Sequence, residues 1–141
     1  MLSIYLGGVN SGTWRDRFKK ALTGQAKVFD PVVAGFYQRE ESEQYNLLAR
    51  ELFAMDECDI CVFYLDESDS GKSVRLKIGD AVGRGKQVVV CLDGDIEGNI
   101  FIRRYCEYRG VSLTFSFDEF VGVVGEYLSE TMKVAAYSAA M

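Results

Sequence analysis

The chain contains no histidine among its 141 residues. That absence removes Ser-His-Asp and Cys-His catalysis along with the commonest general base, so acid–base work falls to Asp, Glu, Lys or Tyr. Zinc loses its usual nitrogen ligand as well. The four cysteines are Cys58, Cys61, Cys91 and Cys106. Only the first two have close CxxC spacing, and Cys61 and Cys91 fall in β-branched runs where cysteine acts as a small buried hydrophobe. Neither a metal site nor a cofactor is expected. Positive charge is in deficit: the net charge is −5, which argues against a duplex nucleic-acid binder. No apolar run approaches the ~18 residues of a membrane span, and Met1 leads into a strand-like segment, not a charged leader. The expectation is a cytoplasmic protein with no membrane partner. Proline occurs once, at Pro31, and neither a repeat nor a low-complexity linker is visible. With 48% hydrophobic and 26% charged residues, the composition is that of one soluble domain.

The most informative stretch runs from Asp59 to Lys86. Ile60, Val62, Phe63, Tyr64 and Leu65 read as a strand, a polar loop follows from Asp66 to Lys72, and order resumes as a helix from Ser73. Val74, Ile78, Ala81 and Val82 recur at helical spacing, and Gly83 and Gly85 end the helix before the strand Gln87–Leu92. In open α/β sheets, ligands sit at the carboxyl ends of strands, so the loop bearing Asp69 and Gly71 and the helix start at Ser73 are candidate site positions. Ser73, Lys77, Asp80 and Arg84 line one flank of the helix. Two readings stand: a solvated face with a Lys77/Asp80 pair, or Ser73 and Lys77 turned toward a ligand.

The rest of the chain repeats the unit. Leu2–Leu6 is a first strand, followed by Gly7, Gly8, Asn10 and Gly12 in a glycine loop whose backbone N–H groups suit an anionic or sugar ligand, or simply a tight turn. A basic helix follows, with Thr13 as cap and Trp14, Phe18, Ala21 and Leu22 at helical spacing. Ala26–Phe29 is a second strand ending at Asp30-Pro31, where proline holds Asp30 extended. Val32–Arg39 is irregular. Glu40–Met55 is a long helix with Tyr45, Leu48, Leu52 and Met55 on one face, and Glu51 on its flank is singled out. Asn99–Arg109 is a further helix, Val111–Phe115 a fifth strand, and Phe117–Leu128 the last helix. Residues 1–129 form the domain, and 130–141 are a tail, either frayed or an oligomer contact. Five strand–helix repeats with right-handed crossovers imply an α/β, doubly wound five-stranded parallel sheet, flavodoxin-like (Rossmann-like).

Tyr5-Leu6-Gly7-Gly8, Trp14-Arg15, Phe29-Asp30-Pro31, the Asp59 strand and Lys77-Ile78-Gly79-Asp80-Ala81 with Gly85-Lys86, in that order, resemble the nucleoside 2-deoxyribosyltransferase-like family over roughly Leu2 to Leu92. The resemblance implies a homo-oligomeric enzyme that cleaves the bond between deoxyribose C1′ and a base, passing the sugar to another base or to water. It implies that Tyr5, Gly7 and Gly8 frame the sugar. Trp14 and Arg15 lie beside them in the motif. Asp30 then lies near the base, Glu51 protonates the leaving base, and Asn99 contacts a sugar hydroxyl across a subunit interface.

The family's nucleophilic glutamate falls on Lys77. Glycosidic cleavage builds positive charge on the sugar ring, which a carboxylate stabilises and an ammonium opposes. Three outcomes are open. Asp30, Glu51 or Asp69 replaces the missing carboxylate in an active enzyme; the protein is an inactive nucleoside- or nucleotide-binding module in which Lys77 and Arg15 pair an anionic group; or Lys77 forms a Schiff base with ring-opened sugar. An unrelated interaction protein of the same fold is a fourth.

Overall fold

The structure, a computed structural model, describes residues 1–10, 12–31, 36–67, 72–94 and 97–140. Strands and helices alternate along them: β1 Ser3–Gly8, α1 Trp14–Ala21, β2 Lys27–Phe29, α2 Glu41–Glu57, β3 Ile60–Leu65, α3 Lys72–Gly83, β4 Gln87–Leu92, α4 Ile100–Arg109, β5 Ser112–Thr114 and α5 Phe117–Ala140. The strands form one parallel sheet in the order β2-β1-β3-β4-β5. This is the doubly wound order expected, and its topological switch lies between β1 and β3.

Strand alternation explains how both faces are covered. Ile60, Val62 and Tyr64 of β3 point to one side, with Ile4 and Leu6 of β1, and meet Trp14 and Phe18 of α1 and Phe120, Val124 and Leu128 of α5. Cys61, Phe63 and Leu65 point to the other, with Tyr5, and meet Met55 of α2, Val74, Ile78 and Ala81 of α3, and Ile102 and Cys106 of α4. A strand with neighbours on both edges and helices on both faces has to be apolar throughout, and β3 is buried along its whole length. Each fully buried large side chain in these layers contributes roughly 1.5–3 kcal/mol.

Three elements depart from the sequence expectation. The first strand does not stop at Leu6: Gly7 and Gly8 pair with Phe63 and Tyr64 of β3, so the glycines belong to the sheet. The last helix does not end near Leu128 but continues to Ala140, with Met132, Val134 and Tyr137 exposed. The long helix carries its apolar stripe only partly into the core. Met55 is buried and Leu52 half-buried, whereas Leu48 and Tyr45 are 41% and 64% exposed. Among the described residues, no helix is long and apolar enough to cross a membrane.

Candidate functional site

The switch point gathers side chains from three elements that are distant in sequence. Tyr5 of β1 sits in the core and sends its hydroxyl outward, where it donates to Glu51 Oε1 of α2 at 2.8 Å. The Lys77 ammonium of α3 donates to the same oxygen at 2.6 Å. Both charged side chains are about four-fifths buried, at 21% and 19% exposure. Burial first, and the Glu51 charge second, push the Tyr5 phenol far above its ordinary value, so this hydroxyl is a permanent donor at any physiological pH. Sequence pattern offered Asp80 as the partner of Lys77. The structure gives Asp80 to Arg84, at 3.2 Å, and draws Lys77 across to α2.

A second charged cluster closes the β1/β2 end. Arg15 Nη1 donates to Asp30 Oδ1 at 2.6 Å and Lys19 Nζ donates to Oδ2 at 2.9 Å. Burial opposes the Asp30 charge, but the Lys19 hydrogen bond and the two cations outweigh it and hold the carboxyl below its ordinary value. The Arg15 guanidinium also donates to Leu6 O and Gly8 O and lies 4.8 Å above the Trp14 ring. Arg15 therefore ties the end of β1 to the end of β2.

The glycine pair has a packing reason. A Cβ on Gly8 would stand 2.2 Å from Tyr64 O at a φ of +136°, and one on Gly7 would stand 2.4 Å from Phe63 Cδ1. Their lack of a side chain lets β1 close on β3. Trp14 is 3% exposed, donates its indole N–H to Val9 O at 2.9 Å, and stacks on Tyr64 with centroids 4.9 Å apart, so its ring is a core element. Asn10 and Ser73 are exposed at the end of β1 and the start of α3. Asn99 is buried at the start of α4, where its Oδ1 accepts from Arg75 Nη2 at 3.0 Å. Asp69 and Gly71 lie outside the described residues.

Sequence reasoning thus named Tyr5, Glu51, Lys77, Asp30 and Arg15, and the fold assembles them into two adjoining ion-paired groups. It missed Lys19 as the second cation on Asp30, Arg75 as the clasp between α3 and α4, and the Tyr64 hydroxyl donating to Asp93. None of these has a local signal, since each joins residues on different elements. Phe36, Glu41, Gln44, Tyr45 and Leu48 line an open groove of about 460 Å³. Gln44, Leu48 and Glu51 fall on one face of α2, so Glu51 stands one turn beyond Leu48, a lining residue of the groove.

Residues 1–94 match a family model described as nucleoside 2-deoxyribosyltransferase like. Among solved structures, a 2-deoxyribosyltransferase from Bacillus psychrosaccharolyticus is similar over 64% of this chain and 72% of its own, with a TM-score of 0.55 and 16% identity. At that identity the likeness is one of fold. No curated protein matches this chain.

Proposed function

This chain belongs to the nucleoside 2-deoxyribosyltransferase-like family, and on that premise we propose that it binds a nucleoside or nucleotide at the β1/β3 switch point without carrying out covalent sugar transfer. The supporting observation is the 2.6 Å contact between Lys77 Nζ and Glu51 Oε1. Cleavage at C1′ needs an uncompensated carboxylate facing the developing positive charge. Lys77 stands at the position of the family's nucleophile in the resemblance, and its ammonium neutralises Glu51. Asp30 is neutralised in turn by Arg15 and Lys19. Losing nucleophile and electrostatic stabilisation together costs several kcal/mol of barrier, each ~1.4 kcal/mol being about tenfold in rate. Binding survives this loss. The Tyr5 hydroxyl is held in place by Glu51, its oxygen able to accept from a ligand, and the groove along α2 has room for a planar base. The resemblance also implies that the binding form is a homo-oligomer.

The test compares wild type with Lys77→Glu on a panel of deoxynucleosides and deoxynucleoside monophosphates. Binding is measured by calorimetry, and free base or exchanged product by chromatography. The expected result is binding by both proteins and base release by the glutamate variant alone. Base release by wild type, or no binding by either, overturns this reading.

A further inference from the structure

A row of three rings crosses the sheet on the α2 side. Phe63 of β3, Tyr5 of β1 and Phe29 of β2 follow one another with ring centroids 6.1 Å apart at each step. Tyr5 and Phe29 are register partners on parallel strands, and their ring planes differ by only 19°, so the two are stacked. Phe63 and Tyr5 are fully buried, whereas Phe29, on the edge strand of the sheet, is 41% exposed. Among the described residues Tyr5 is the one ring that Phe29 meets, so the row ends in an aromatic surface that water still reaches.

The middle of the row leads to an unused acceptor. Tyr5 Oη and Lys77 Nζ both donate to Glu51 Oε1, while Glu51 Oε2 accepts no hydrogen bond among the described residues. Pairing with Lys77 neutralises the carboxylate without occupying this second oxygen, and the Glu51 side chain keeps 19% of its surface open. Tyr5 touches both features, its ring stacked on Phe29 and its hydroxyl bound to Glu51. Asp30, the next residue after Phe29, turns to the other side of the sheet, where Arg15 and Lys19 of α1 take its carboxyl.

We propose that Phe29 is the platform on which a bound nucleoside stacks its base, with an N–H on the edge of that base donating to Glu51 Oε2. This rests on the binding reading above and names the residue that meets the base. An open aromatic face calls for a flat π surface, and a free carboxylate oxygen calls for a donor. A nucleobase carries both, whereas a sugar lacks the π face and a hydrocarbon ring lacks the donor. Every base has a π face, so Phe29 sets affinity for the class and the Glu51 oxygen sets the requirement for a donor on the edge. The base then lies on the α2 side of the sheet with Phe29, and not against Asp30, whose carboxylate is committed to α1.

Calorimetry on the full chain with 2′-deoxyadenosine and with purine 2′-deoxyriboside, which has no N–H on its base, tests the idea. Wild type is expected to bind the first about tenfold more tightly than the second. Phe29→Leu keeps an apolar cover on Tyr5 and is expected to weaken deoxyadenosine binding about tenfold, with far-ultraviolet circular dichroism unchanged. Phe53→Leu, the same change at a position 67% exposed on α2, is expected to bind like wild type. Phe29→Trp sets an indole at the platform, and its fluorescence, added to that of the buried Trp14, is expected to be quenched as the nucleoside binds. Three outcomes overturn the platform while leaving nucleoside binding intact: Phe29→Leu binding like wild type, Phe29→Trp binding without quenching, or equal affinity for the two nucleosides. A wild type that binds neither nucleoside overturns the binding reading and the platform together.

Discussion

Lys77 Nζ and Tyr5 Oη both donate to one oxygen, Glu51 Oε1, at 2.6 and 2.8 Å, so a residue from α3 and a residue from β1 are held by a single carboxylate on α2. This bond joins three elements and neutralises the carboxylate that a glycosidic cleavage would use. Its consequences can be measured on stability as well as on activity.

The Lys77–Glu51 pair should behave as a coupled unit. Lys77→Met leaves Glu51, about four-fifths buried, with Tyr5 as its remaining donor and is expected to cost about 1–3 kcal/mol in urea unfolding. Glu51→Gln should cost a similar amount, and the double variant less than the sum of the two. A coupling energy of about 1 kcal/mol or more is the expected outcome of the cycle. Strict additivity would mean that the contact contributes nothing to stability.

The glycines divide into two classes. Gly8→Ala places a Cβ against Tyr64 O at a positive φ and should destabilise the fold by about 3 kcal/mol or more, with Gly7→Ala next as it displaces the Phe63 ring. Gly79→Ala meets open space and should stabilise one copy of the chain by up to about 1 kcal/mol. Thermal melts of the three variants at low protein concentration check the order.

Asp30 sets a pH dependence with a definite sign. Its carboxyl is held below the ordinary value, so the native state favours the charged form. The stability this contributes is complete above the unfolded value of about 4 and is lost as pH falls through the depressed folded value. Asp30→Asn should therefore cost about 1–2 kcal/mol near neutrality, and the gap to wild type should close in acid. A gap that persists unchanged well below pH 3 would show that the ion pairs are not its source.

The cysteines should be chemically silent in the native protein. Burial pushes the Cys61 and Cys91 thiols up to about 12 and Cys106 to about 11, and raises Cys58 as well. Titration with an aromatic disulfide at pH 8 should label none of the four on the timescale that labels free cysteine, and all four after unfolding. Rapid labelling of Cys58 without denaturant would mean that the end of α2 opens locally.

The register of apolar residues carried the architecture. The β-branched run at β3 and the Val74–Ile78–Ala81 stripe of α3 are buried as their periods imply, because alternation and helical repeat are local properties that the core simply reads. The same logic over-extended the buried stripe of α2, where Tyr45 and Leu48 keep the period but stand exposed. It also stopped α5 early, since the helix continues past its last buried residue, Leu128.

By itself, then, the sequence determined the order of elements, the parallel sheet and the residues clustered at its switch point. Tertiary structure alone decided which charge meets which: Lys77 turns to Glu51 and not to Asp80, and Lys19 joins Arg15 on Asp30. It also decided that Gly7 and Gly8 serve strand packing, whereas Gly79 faces outward. The reason is one of range. Secondary structure follows from repeats of two and 3.6 residues within a segment, but an ion pair depends on the distance between segments after the crossovers have packed, and that distance leaves no mark in either segment.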